Sequence, residues 1–227
     1  MNRAIRLFSL AIGFVSVAMF ALPMAAQERK GDINELGKQG YTVRAVTPIF
    51  AQLVMFSYPV GFKHAYENTT GNQYIQESVL DGETVEQWSQ MITLTGAGGL
   101  AKNPNVTPQR MLEQVAGRFR NHCPETFAAK SLGPLKVSGH DAYAAMMGCG
   151  TVRQGAGHSE IALLIAIKGM SDVYTIQWAE RASPVNQPPV LDGNKWSARF
   201  KLLSPIKLCP RLPGEPPPYQ SCINQKN

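Results

Sequence analysis

Residues 160–180, EIALLIAIKGMSDVYTIQWAE, decide how this chain folds. Residues 160–167 are apolar at odd and even positions alike, so a strand there must be central and covered on both faces. Gly169-Met170-Ser171-Asp172 then turns the chain. Residues 173–180 alternate, which puts Tyr174, Ile176 and Trp178 on one face of a second strand.

The stretches upstream supply partners for that hairpin. Residues 135–152 (LKVSGHDAYAAMMGCGTV) read as a hairpin that breaks at Gly139-His140-Asp141. Residues 41–46 (YTVRAV) and 49–58 (IFAQLVMFSY) are strand-like, the second ended by Pro59 and Gly61. Residues 73–80 alternate and stop at the Asp81-Gly82 turn signal. Residues 87–95 place Trp88, Gln90, Ile92 and Leu94 on one face.

Two segments have helical spacing. Thr107 can cap the first, Pro108 suits its first position, and Pro124 closes it. Its apolar stripe is Met111, Leu112, Val115, Ala116 and Phe119. Arg118, Arg120 and His122 lie towards its C-terminal end, where cations meet the negative end of the helix dipole. The second spans residues 194–203, with Trp196, Phe200 and Leu203 on one side and Pro205 as its stop. Each one-sided helix must bury its stripe on the sheet. The expected fold is α+β, a single mostly antiparallel sheet with two main helices packed on it.

The chain begins MNRAIRLFSLAIGFVSVAMFALPMAAQE. Arg3 and Arg6 precede an apolar run, Pro23 breaks it, and Ala25 and Ala26 precede Gln27. This order reads as a signal peptide over residues 1–26, cut near Ala26, and predicts a periplasmic or secreted protein. An uncleaved anchor is the lesser reading, because the apolar run falls short of the roughly 18 residues a spanning helix needs. No transmembrane segment is expected in the mature chain. Residues 27–40 are a polar, flexible lead-in, 41–208 a single α+β domain, and 209–227 a Pro-rich tail closed by a disulfide. There is no internal repeat.

Of 227 residues, 44% are hydrophobic and 17% charged, which suits a globular protein rather than a disordered one. The net charge of +6 drops by the two leader arginines on cleavage. That mild excess carries no clustered Lys/Arg stripe, so nucleic acid is not an expected partner. Four cysteines, Cys123, Cys149, Cys209 and Cys222, make an even number in an oxidising compartment, which favours disulfides. Zinc sites favour close pairs such as C-x-x-C, and none is present. Cys123 at the helix end can reach Cys149 on the following strand, and Cys209 and Cys222 flank the tail. Four cysteines still allow three pairings.

The motif Phe56-Ser57-Tyr58-Pro59-Val60-Gly61-Phe62 and the hairpin Val137-Ser138-Gly139-His140-Asp141-Ala142, on either side of a long helix, resemble the Mog1/PsbP-like fold. The resemblance spans residues 41–203. Gly82-Glu83-Thr84 with Trp88-Ser89-Gln90-Met91-Ile92-Thr93 resembles exported bacterial proteins. What this implies is a binding or assembly module without catalytic residues. The four cysteines and the Pro-rich tail depart from the pattern.

Candidate chemistry is sparse. Gly96-Ala97-Gly98-Gly99-Leu100-Ala101 fits G-x-G-x-x-G/A after a strand, but Asn103-Pro104 intervenes where a dinucleotide site needs a helix. His158-Ser159-Glu160 lacks the P-C-x-x-C that a zinc deaminase requires. His122-Cys123 suggests a thiol nucleophile, but Cys123 sits at a helix C-terminus, which disfavours thiolate, so a disulfide half is the better reading. Residues 157–161 (GHSEI) lack the last Gly of a nucleophile elbow. The sequons Asn68-Thr69-Thr70 and Asn105-Val106-Thr107 mark turns if the source is bacterial.

The expected function is therefore an exported envelope protein with a binding or structural role, not an enzyme, with no cofactor or metal, and with an unknown protein or envelope component as partner. An enzyme with a scattered site and a secreted effector are the alternatives. A pocket gathering His64, His122, His140 or His158 with an acid would favour the enzyme. The candidate contact residues are Gly96, Gly98, Gly99 and Leu100 of a mobile loop over residues 96–105, with Lys195 and Arg199 of the second helix.

Overall fold

The computed structural model describes residues 39–152 and 157–225. The leader over residues 1–26 and nearly all of the lead-in lie outside the described residues. In chain order the elements are β1 (Thr42–Ile49), β2 (Gln52–Pro59), β3 (Phe62–Thr70), β4 (Gln73–Leu80), β5 (Gln90–Ala97), a 3-10 turn (Leu100–Lys102) and helix α1 (Pro108–His122). They continue with β6 (Phe127–Val137), β7 (His140–Val152), β8 (His158–Lys168), β9 (Val173–Ala182), helix α2 (Gly193–Leu203), β10 (Lys207–Pro210) and a short α3 (Gln220–Ile223).

The fold is α+β, and every described strand pairing is antiparallel. The expectation of a single sheet is corrected. There are two sheets, one of seven strands in the order β3-β4-β5-β9-β8-β7-β6 and one of three in the order β1-β2-β10. The physical reason lies in β2. Gln52 to Ser57 are all buried, because both faces of the strand are covered. Val54 and Phe56 join the core of the large sheet, whereas Leu53 and Met55 pack on Cys209, Cys222, Tyr219 and Ile223. A strand apolar on both sides cannot sit at the solvated margin of the large sheet. It lies over that sheet instead and takes β1 and β10 as partners.

β8 has the two covered faces that its composition demands. Leu163, Ile165 and Ile167 face the core shared with β2 and α2, while Ala162, Leu164 and Ala166 face α1. Across the strands, Ile92, Trp178, Leu163 and Met146 pair in one row and are fully buried. On the opposite face the residues beneath α1 include the alanines 145, 162, 166 and 179, small enough to let the helix approach. The two helices thus pack on opposite faces of the large sheet. Thr107 caps α1 by accepting from Arg110 N at 3.2 Å, and Asp192 caps α2 by accepting from Asn194 N and Lys195 N.

The disulfides are Cys123–Cys149, tying the end of α1 to β7, and Cys209–Cys222, tying β10 to α3. The tail read as irregular begins inside β10 and carries α3. Buried Lys207 holds it, donating from Nζ to the carbonyls of Ile223 and Gln225. Trp88 does not share a face with Ile92 and Leu94. It precedes β5, packs in the cluster under α1, and lies 3.6 Å from the Arg181 guanidinium carbon.

Candidate functional site

α1 is narrower than the sheet it covers. It lies over β6, β7 and β8 and does not reach the end of β4 and β5 around Ile75 and Thr95, although Val79 and Met91 further along the same face are buried. The result is a groove of about 570 Å³ between α1 and the uncovered strand ends. Thr95, Thr175 and Gln177 form its floor, Asn68, Thr70 and Gln73 its outer wall, and Gln114 and Arg118 its helix side. Thr95 and Thr175 share a hydrogen bond of 2.5 Å between their hydroxyls. Amide and hydroxyl groups and the Arg118 cation are set among a larger apolar lining that includes Ile75, Leu100, Met111, Val115, Leu164 and Val173. Such a surface can hydrogen-bond an extended polar ligand. Beside it, burial pushes the Glu77 carboxyl above the usual carboxylate range.

The candidate contact residues are not brought together. Gly96 and Leu100 line the groove, whereas Gly98 and Gly99 do not. Lys195 and Arg199 both bind Glu180, Arg199 with Nη2–Oε1 at 2.6 Å, and Arg199 also covers Trp178 at 4.5 Å. Glu180 lies at the far end of β9 from Val173, which pairs with Ala97. Seven residues of strand separate the two places, about 23 Å. The basic face of α2 is thus partly neutralised by its own sheet, two cations sharing one carboxylate, and remote from the loop.

The loop over residues 96–105, read from the sequence as mobile, is hydrogen-bonded at several points. Gly98 N donates to Asn72 O, Gly99 N to Asp172 Oδ1 at 2.8 Å, and Ala101 N to Ser171 O. Lys168 Nζ donates to the carbonyls of Asn103 and Val106. Gly99 takes φ 74°, a left-handed value that suits glycine. With these amides engaged, the G-x-G-x-x-A stretch offers no phosphate cradle. The sequence signals of neighbouring composition missed the anchor, buried Asp172, which belongs to the turn that follows β8.

A second pocket of about 290 Å³ lies at the other end of the helix flank. It gathers Arg118, His122, His158, Glu160 and Arg181 over Phe119 and Cys149. Glu160 Oε2 lies 3.3 Å from His158 Nε2 and accepts from Arg181 Nε at 3.2 Å. His64 pairs separately with Glu67, 3.6 Å away. Among the described residues no group of three His, Cys, Asp or Glu side chains is placed to hold a metal ion, and no helix is long and apolar enough to cross a membrane.

No family model matches the chain, and no curated protein matches it. Solved structures do. The chain is similar to cyanobacterial PsbP (CyanoP) from Synechocystis, with 8% identity over 72% of this chain and 87% of that one, at a TM-score of 0.42. It is similar to the Saccharomyces cerevisiae Ran-binding protein Mog1p, with 12% identity over 71% and 91% at a TM-score of 0.42. It is also similar to LpqN, involved in cell envelope biogenesis of Mycobacterium tuberculosis, with 9% identity over 78% and 97% at a TM-score of 0.37. PsbP and Mog1 are the names of the fold that the motifs around Pro59 and Gly139 resemble. Matches at this level carry no statement of what this chain binds.

Proposed function

We propose that this chain is an exported, non-catalytic binding or assembly module of the cell envelope, which takes an extended polar partner in the groove beside α1. The observation that carries the reading is the polar second face of two interior strands. β5 and β9 bury Ile92, Leu94, Ile176 and Trp178 on one side, and present Thr95, Thr175 and Gln177 to an uncovered groove on the other. Interior strands with a polar, open face are built for contact rather than for core. The leader-like residues 1–26 and the two disulfides support an extracytoplasmic site of action.

The test is site-specific photo-crosslinking in the exporting cell. A crosslinker at Gln177 should capture a discrete envelope component, and one at exposed Lys130 on the opposite margin of the sheet should not. Equal labelling from both positions, or none from Gln177, refutes the groove as the contact surface.

One observation favours the enzyme instead. The second pocket places His122 and His158 with an acid, Glu160. Turnover of ester or phosphoester substrates by the purified mature protein, abolished by His158→Gln, would establish that reading in place of the first.

A further inference from the structure

We infer that the pocket at the C-terminal end of α1 binds a phosphate group, held by Arg118, Arg181, His122 and His158. This goes beyond the groove reading, and only Arg118 lines both places. Three elements supply the donors, Arg118 and His122 from α1, His158 from β8 and Arg181 from β9. They converge on one space of about 290 Å³ over Phe119 and Cys149.

Arg181 is oriented in advance. Its guanidinium stacks on Trp88 at 3.6 Å, and its Nε donates to Glu160. Those two contacts fix the plane, and among the described residues neither terminal nitrogen has a protein partner. A guanidinium held in this way presents a planar fork suited to phosphate oxygens. His122 is oriented as well. Its Nδ1 lies 2.8 Å from Arg118 O, so Nδ1–H donates there, and Nε2 donates to a ligand only when the ring is protonated. Arg118 makes no ion pair among the described residues and lies one helical turn before His122.

Charge decides the sign of the ligand. Two guanidiniums face one carboxylate, Glu160, so the pocket keeps a positive excess of one before either imidazole is protonated. The C-terminal dipole of α1 opposes an anion with about half an elementary charge. Part of that is already satisfied, since the Arg118 carbonyl faces His122 and the Phe119 carbonyl accepts from Cys123 N. The excess therefore survives. Two guanidinium forks from α1 and β9 suit the oxygens of a tetrahedral dianion, and each imidazole, its other nitrogen turned to the Arg118 carbonyl or to Glu160, adds a donor when the ring is protonated.

The phosphate can be free or on a lipid headgroup, and the experiment separates the two. The mature protein is titrated with inorganic phosphate, with acetate at equal ionic strength as control. The readout is the imidazole proton signals of His122 and His158, with His64 and His140 as internal references. A second arm measures sedimentation with phosphatidylglycerol/phosphatidylcholine vesicles against phosphatidylcholine alone. The expected result is a saturable shift confined to His122 and His158, weakened about tenfold or more by the Arg118→Gln/His122→Gln double variant. Vesicle binding lost in the same variant, without a response to free phosphate, assigns the headgroup as source. Gln177→Leu, which alters the groove alone, should leave either response intact, so failure of the groove reading would be seen separately. No response in both arms overturns the inference, as does an equal response to acetate. A response that survives the double variant also overturns it, since both residues are exposed and their loss leaves the fold in place.

Discussion

Replacing Asp172 tests the way the fold closes one end of its sheets. The carboxylate is 4% exposed and holds three segments at once. Oδ1 accepts from Gly99 N at 2.8 Å, and Oδ2 accepts from Ala51 N and from the Tyr174 hydroxyl, both at 3.2 Å. In Asp172→Ala the Tyr174 hydroxyl keeps a second acceptor, Ile49 O at 3.3 Å. Gly99 and Ala51 keep none, and each such amide costs about 1–3 kcal/mol where water cannot reach it. Ala51 and Gly99 are themselves exposed, so water can reach both amides, the low end of that range applies, and the summed loss is about 2 kcal/mol. For a domain of this size that lowers Tm by about 4–8 °C. Urea unfolding followed by tryptophan fluorescence measures the loss. Hydrogen exchange locates it, because the Gly99 and Ala101 amides should be protected in the wild type and exchange freely in the variant. Asp172→Asn keeps one carbonyl oxygen but turns an amide donor towards a second N–H, so its loss should fall between. A cost below about 1 kcal/mol in Asp172→Ala, with Gly99 still protected, would refute the account of the loop as anchored through this carboxylate.

Three further outcomes follow from the same contacts. Serine at both positions of either disulfide should cost about 3 kcal/mol in urea unfolding by loop-closure entropy, for separations of 26 and 13 residues, with the Cys123/Cys149 pair losing slightly more. Burial raises the Glu77 pKa in the folded protein, so the folded chain holds its proton to higher pH than the unfolded chain and stability falls as pH rises through that window. Glu77→Gln should therefore match the wild type below a pH of about 4 and exceed it at pH 7.5, read as urea midpoints. Gly150→Ala would place a Cβ 2.0 Å from Gln187 O and 2.6 Å from Val185 O, both backbone atoms, and should destabilise strongly or displace the segment that runs from β9 to α2.

The parts of the fold that were legible in the sequence are those where burial writes a period. Residues 160–167, apolar on both faces from Ile161 onwards, announced a strand covered twice, and β8 is one. The stripe Met111, Leu112, Val115, Ala116 and Phe119 announced α1 together with its proline punctuation. β3 was not legible, because all but its first residue are exposed and no alternation marks it. β6 was read only from Leu135 onwards for the same reason, its first eight residues being mostly exposed at the sheet margin. β10 has four residues beside prolines, and it forms only because β2 offers it a register from Met55 to Gln52. The second sheet is a tertiary fact of that kind.

The groove was half legible, and this bears on how such sites are found. Residues 173–180 show the core face plainly, through Tyr174, Ile176 and Trp178. Their other face, Thr175 and Gln177, reads as solvent only if the strand lies at a margin, yet β9 is the middle strand of seven. An interior strand with a polar second face means that the covering layer stops short. Pairing Thr95 with Thr175 across β5 and β9 extends the same signal over two strands, which a single polar position would not do. The basic residues mislead for a related reason. Lys195 and Arg199 look unpaired in sequence because their acid, Glu180, lies on a strand fifteen or more residues earlier. Arg118 and His122 look like ordinary dipole-end cations, and only the fold shows that β8 and β9 bring His158 and Arg181 against them. A charge in a sequence has meaning only with its tertiary neighbours. For this chain those neighbours tie Lys195 and Arg199 to Glu180, and set His158 and Arg181 beside Arg118 and His122.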